Sequence, residues 1–207
     1  PYYEQKADIY NAQSLYRNTS IDFVVPEPSF DQANELPGSN GISGVFPYYL
    51  TKTSVTVKGK NRTTTVLIAD NHQQLDTTMY NQARLIETSR TTTDHPILVD
   101  YQFCLDTGAK LGDVVSFSIG ENLQDYIITA IYETNSLHDG GAILVQVPSE
   151  QIEAIRQQSK NNGFSGMLVT ASDYDTCRLY LTTDYRPLGR LQSREQFDSD
   201  EQYKIHY

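Results

Sequence analysis

Gly108-Ala109-Lys110-Leu111-Gly112-Asp113-Val114-Val115-Ser116-Phe117-Ser118-Ile119, with its continuation Tyr126-Ile127-Ile128-Thr129-Ala130-Ile131-Tyr132, decides the fold. The glycines punctuate a turn, and Asp113 leads into a strand over Val114–Ile119. A second strand follows over Tyr126–Tyr132. Upstream, Ile97–Leu105 predicts a short helix or strand against the same sheet. Downstream, a loop over Glu133–Gly141 leads into a strand over Ala142–Val147. Pro148 then opens a helix reaching about Lys160, with Glu150 in its first turn where an acid complements the helix dipole. Asn161-Asn162-Gly163 ends it.

The remaining chain fits around this unit. Ala7–Tyr16 carries Ile9, Ala12, Leu15 and Tyr16 at helical spacing. Ile21–Val25 reads as a short strand stopped by Pro26 and Pro28. Ser29 is placed to cap a short helix through Leu36, with Gln32 as its capping-box partner, and Pro37-Gly38 ends it. Gly41, Gly44 and Pro47 mark a turn and an edge strand into Leu50. Thr53–Lys58 and Thr63–Ala69 alternate as strands around the hairpin turn Lys58-Gly59-Lys60-Asn61. Residues 71–93 are polar, with Met79, Ala83 and Ile86 available for one helical face. Gly166–Thr170 is a strand, and Ser172 through about Thr182 a helix turning Tyr174, Cys177 and Leu181 inward. The tail from Pro187 reads as an exit segment. No period of 20 to 50 residues recurs, which excludes a solenoid. The class is α+β, a mixed sheet with packed helices.

Composition narrows the function. The 207 residues carry 26 acidic and 16 basic side chains, a formal charge of -10. Such a surface repels nucleic acid and disfavours adsorption to anionic lipid. A cationic peptide partner is permitted. No uninterrupted apolar run approaches the roughly 20 residues that span a bilayer. The opening at Pro1, without an initiator Met, reads as the middle of a longer protein. Cys104 and Cys177 form no CxxC pair or metal cluster. Buried thiols are their usual fate, and a disulfide is chemically open outside the cytoplasm.

Several small constellations invite a chemical reading. Gly38, Gly41 and Gly44 are spaced GxxGxxG, but a dinucleotide loop needs GxGxxG between a strand and a helix. Turn glycines are the better reading. Asp70, His72 and Asp76 offer oxygen and nitrogen donors without a third ligand from a fixed element. They read as solvated loop polars. His138-Asp139 could pair a base with its orienter, but Ser136 lacks a nucleophile elbow. Asp173 and Asp175 sit where helix capping places acids. Asn18-Thr19-Ser20 and Asn61-Arg62-Thr63 fit the glycosylation pattern. Fifteen tyrosines with no tryptophan, among them Tyr2, Tyr3, Tyr48, Tyr49, Tyr180 and Tyr185, allow either an amphipathic recognition surface or a tyrosine-rich surface without a partner. No catalytic residue, metal or cofactor is implied.

Three segments in order carry a family resemblance. They are Leu36-Pro37-Gly38 through Gly41-Ile42-Ser43-Gly44-Val45, then Gly108–Val115 with Tyr126–Tyr132, then Tyr185-Arg186-Pro187-Leu188-Gly189-Arg190-Leu191 with Ser193-Arg194-Glu195-Gln196-Phe197. Together they resemble the large extracytoplasmic domain of FtsX-like (MacB-like) ABC transporter permeases, over most of the chain. The resemblance implies a MacB-like periplasmic core domain over 1–207, between the first and second transmembrane helices. It also implies a β-rich subdomain to which 54–95 could contribute. The implied role is non-catalytic: cytoplasmic ATP hydrolysis by a partner ATPase subunit is coupled to extracellular recognition or mechanotransmission. Peptides, lipoproteins and cell-wall proteins are the implied outside partners, and the cell membrane is the implied location. The loops 37–48 and 133–141 are candidate contact or hinge regions, through Gly38, Gly41, Gly44, Tyr48, Tyr49, His138, Gly140 and Gly141. The rivals are a free extracellular binding or adhesion domain, and a metal-dependent or His-based hydrolase.

Overall fold

The computed structural model describes residues 20–28, 31, 33, 36, 38–72, 85–89, 93–132, 142–159, 163–185 and 191–195. The segment around Gly108–Tyr132 folds as its residues dictate. Helix α1, Tyr101–Thr107, is N-capped by the Asp100 side chain, which accepts from Gln102 N at 2.6 Å. Gly108 stops it at φ 74°, its N–H donating to Cys104 O at 2.8 Å; glycine takes this left-handed conformation without a Cβ penalty. The Asp113 carboxylate accepts from Lys110 N at 2.8 Å and Gly112 N donates to Ile128 O at 2.9 Å, so the turn is tied both to itself and to the strand beyond. β6, Val114–Ile119, then pairs antiparallel with β7, Asn122–Tyr132, from Val114↔Ile127 to Ile119↔Asn122.

The other strands are β1 (Phe23–Pro26), β2 (Ile42–Val57), β3 (Lys60–Asp70), β4 (Leu85–Thr88), β5 (Pro96–Asp100), β8 (Ile143–Val147), β9 (Gly166–Ala171) and β10 (Gln192–Ser193). Six of the strands close a ring. β2 pairs β3, β3 pairs β8 in parallel, β8 pairs β5, β5 pairs β7 in parallel, β7 pairs β6, and β6 returns to β2 through Val57↔Val115. Alternation along the strands sends Val55, Val57, Val66, Ile68, Val99, Val115, Phe117, Ile128 and Val145 into one core. Closure leaves these strands no open edge within the ring.

Two helices close the ends. α1 lowers Phe103 and Cys104 into the barrel core near the β2–β3 hairpin, where Arg62 meets Asp106 at 3.0 Å. α2, Ser149–Gln158, follows β8 and packs Ile152 into the same core from the opposite end. A flanking layer grows from the first half of β2. That half pairs with β9, β9 with β1, and β1 with β10. Helix α3, Tyr174–Leu179, continued at π spacing over Tyr180–Tyr185, covers this layer with Cys177 and Leu181, both fully buried. A third cluster, including Phe46, Tyr48, Leu67 and Leu144, lies between barrel and flank.

Several expectations are corrected. The edge strand into Leu50 and the strand from Thr53 are one 16-residue strand. Gly44 lies at a register shift between Ile42 and Gly44, and Pro47 pairs within the β9 stretch, before β3 joins at Tyr49. Ile86 belongs to β4, half-exposed, so it lies on a strand and not on a helical face; Met79 and Ala83 are outside the described residues. The exit tail contributes β10. The helix expected over Ala7–Tyr16 also lies outside the described residues. Residues 54–95 supply the end of β2, then β3 and β4, and pair with strands drawn from 96–147.

Candidate functional site

The turn after Gly38 is built from positive-φ residues: Gly38 at 81°, Asn40 at 51° and Gly41 at 75°. Ile42 N donates to Ser39 O at 2.9 Å and closes it. Gly38 is exposed, and a Cβ there would meet nothing within 4 Å. Gly41 is different. Its carbonyl accepts from Ser172 N at 2.8 Å and from Asp173 N at 3.2 Å, and a Cβ would stand 2.6 Å from Asp173 O. The turn is therefore fastened at Gly41 to the β9–α3 junction, with its tip at Gly38–Asn40 facing solvent. Gly44 is held further along: a Cβ would meet Thr170 Oγ1 at 2.7 Å, and Ser43 Oγ bonds that same oxygen at 2.9 Å.

Tyr48 and Tyr49 point inward, at 3% and 6% exposure, so neither ring lies on a recognition surface. Tyr48 lies on Gly166, where a Cβ would overlap its Oη and stand 2.6 Å from its Cζ. Tyr49 packs on Phe164, ring centroids 5.0 Å apart. Burial pushes the Tyr49 phenol up, Arg156 opposing and Glu153 adding. Tyr180 and Tyr185 are half-buried partners, centroids 6.4 Å apart, and burial raises Tyr185 to about 12. Tyr2, Tyr3, His138, Gly140 and Gly141 lie outside the described residues. The strands flanking 133–141 end beside α1: Asp100 pairs with Tyr132, and Asp100 N donates to Ala142 O at 2.9 Å.

The structure brings Asp70 and His72 together with a residue that sequence spacing did not connect to them, Ser149. Asp70 Oδ1 accepts from His72 N at 2.8 Å and lies 2.9 Å from His72 Nδ1. Ser149 Oγ donates to Asp70 Oδ2 at 2.8 Å and lies 2.9 Å from the same Nδ1. Partial burial raises the Asp70 carboxyl, but hydrogen bonds from His72 N, Ser149 Oγ and the His72 ring outweigh it and hold the group below the ordinary carboxylate range. The three residue types suggest a hydrolytic triad, and the geometry does not supply one. A triad places carboxylate and hydroxyl on opposite ring nitrogens, with the hydroxyl donating to imidazole. Here both meet Nδ1 and the hydroxyl donates to the carboxylate. The cluster fastens the end of β3 to the start of α2, where Pro148 leaves the helix without a side-chain cap. Among the described residues no three His, Cys, Asp or Glu come together to hold a metal.

Asp173 caps α3, its carboxylate accepting from Thr176 N at 3.1 Å, with Asp175 in the first turn. Cys104 and Cys177 are free and buried in separate clusters, so no disulfide joins them. Burial first, then neighbouring acids, raises each thiol to about 11. Among the described residues, no helix is long and apolar enough to cross a membrane.

No protein-family model matches the sequence, and no curated protein matches it. Solved structures do match. The chain is similar to the periplasmic region of MacB from Actinobacillus actinomycetemcomitans, at TM-score 0.56 and 14% identity, covering 95% of this chain and 97% of that one. It is similar to the extracellular domain of the noncanonic ABC-type transporter YknZ from Gram-positive bacteria, at TM-score 0.50 and 14% identity over 85% and 99% of the two chains. A domain of a protein described as a permease, from Porphyromonas gingivalis, matches at TM-score 0.51 and 13% identity over 86% and 88%. The architecture, a mixed α+β fold with a closed barrel core and packed helices, is that of the MacB periplasmic region. At these identities the likeness is one of fold.

Proposed function

We propose that this chain is a non-catalytic extracytoplasmic domain of an ABC transporter permease, lying between the first and second membrane helices of the full-length protein. The supporting observation is similarity in fold to three transporter or permease domains, reaching nearly the whole of this chain and of the MacB region. The path of the chain agrees. Asp22 and Arg194 are neighbours, so the described residues nearest the two ends of the chain lie together. Such an arrangement suits a domain suspended between two membrane helices.

In this reading a cytoplasmic ATPase subunit is the partner through the full-length permease. Its hydrolysis cycle moves the outer domain, and the outer domain engages a peptide, lipoprotein or cell-wall protein. Coupling requires that the partner bind one conformation better than another. The turn with Gly38, Gly41 and Gly44 and the loop with His138, Gly140 and Gly141 are the contact or hinge regions, with Tyr48 and Tyr49 buried in the strand that follows the first of them. Residues 54–95 belong to the β-rich part that these regions move.

The test uses the full-length protein in its native membrane. Cysteines placed at Gly38 and Asn61 should react with a membrane-impermeant maleimide in intact cells, and a nucleotide-hydrolysing subunit should co-purify in detergent. Labelling only after cell lysis, or purification without any ATPase, would overturn the proposal.

A further inference from the structure

β10 is a slight attachment. It offers β1 two residues, Phe23↔Ser193 and Val24↔Gln192, whereas β9 offers β1 four. The side chains beyond it make up the difference. Arg194 N donates to Asp22 O at 2.9 Å, Arg194 Nε donates to Asp22 Oδ1 at 3.2 Å, and the guanidinium also reaches Ile21 O. This ion pair is partly shielded, with side chains 30% and 19% exposed, so solvent screens it less than a surface pair. Glu195 N donates to the Tyr174 hydroxyl at 3.0 Å, and Tyr174 stacks on Phe23 with centroids 4.8 Å apart.

Asp22 faces two ways. Its second carboxylate oxygen accepts from Ala171 N at 2.8 Å, at the end of β9. The next two amides, Ser172 N and Asp173 N, are those that hold Gly41 O. A continuous path of hydrogen bonds and peptide units thus runs from Arg194 through Asp22 and residues 171–173 to the turn at Gly41. Such a path carries coupling only if one of its parts has two states. The two-residue strand is the part most easily released.

We propose that β10 with Arg194 is a latch. It docks on β1 and undocks as a unit, and its docked state holds the Gly38–Gly41 turn through Asp22 and residues 171–173. Tension on the segment beyond Glu195 then loosens that turn. The latch rests on these contacts alone, and only the source of the tension rests on the proposed function.

Amide hydrogen exchange on the 207-residue chain tests it. In Arg194→Gln, exchange at the Arg194, Ala171, Ser172 and Ile42 amides should speed up about tenfold, as local opening becomes easier. Ile128 and Val145 in the barrel should keep their rates, and Arg194→Lys should restore part of the protection. Because coupling is reciprocal, Gly41→Ala should speed exchange at Arg194 in turn. Faster exchange at Arg194 alone would remove the coupling. Uniform acceleration through the barrel would reduce the pair to a general stabiliser. No change at all would remove the latch.

Discussion

Two glycines with nearly the same backbone angle carry different burdens. Gly59, at φ 73°, sits with Lys58 at φ 51° in the hairpin between β2 and β3, and a Cβ there would meet nothing within 4 Å. Gly41, at φ 75°, would drive a Cβ into the Asp173 carbonyl. Gly59→Ala should therefore cost only the left-handed strain, roughly 1–2 kcal/mol. Gly41→Ala should cost that strain plus displacement of a hydrogen-bonded junction, about 2–4 kcal/mol in all. Urea unfolding of the two variants measures the difference, and equal losses would contradict the packed reading of Gly41. Asp70 gives a second test at this scale. Its folded pKa lies below the reference value of 3.8. The folded state therefore favours the carboxylate, which adds stability above the unfolded pKa and is lost as pH falls through the folded one. Asp70→Asn should be less stable than the parent at neutral pH, with the gap narrowing below about pH 4. Thermal unfolding from pH 7 to pH 3 reads this directly; a gap constant with pH would contradict it.

At the scale of elements, β2 is the member on which the rest depends. It gives Ile42 and Val45 to the flank, Phe46 and Tyr48 to the middle cluster, and Tyr49, Val55 and Val57 to the barrel. A strand shared among three cores should make them unfold together. Cys104 in the barrel and Cys177 in the flank report on this without any mutation. Both thiols should resist alkylation in native buffer at pH 8, because burial and pKa values near 11 leave little thiolate. Both should become reactive at the same urea concentration, and two separate midpoints would show independent units. Much of this level was legible in the sequence. Lys58-Gly59 between two alternating threonine-rich runs specified the hairpin, and Gly108 and Gly112 specified the turns before β6. What escaped has a physical reason in each case. β10 is two polar-to-small residues, Gln192 and Ser193, held by pairing and not by a pattern of its own. The half-exposed Ile86 satisfies a helical spacing as readily as a strand. The Ser149 contact with Asp70 joins residues 79 apart in sequence, a closeness that only the parallel pairing of β3 with β8 creates.

At the scale of the molecule, the described residues form a closed barrel with its ends covered by two helices and a flanking sheet that gathers the described residues nearest both termini at one corner. Sequence order alone suggested the resemblance to permease domains, and fold similarity at 13% to 14% identity agrees with it at the level of architecture. Ring closure could not be read from strand signals, since it depends on the contact of Val57 with Val115 at the far end of β2. The most direct measurement is the sequence of the full-length gene product on either side of this chain. The account predicts an apolar helix of about 20 residues shortly before residue 1 and further such helices after residue 207. Flanks without any membrane-spanning segment would contradict the permease assignment and leave a binding domain that works free of a transporter.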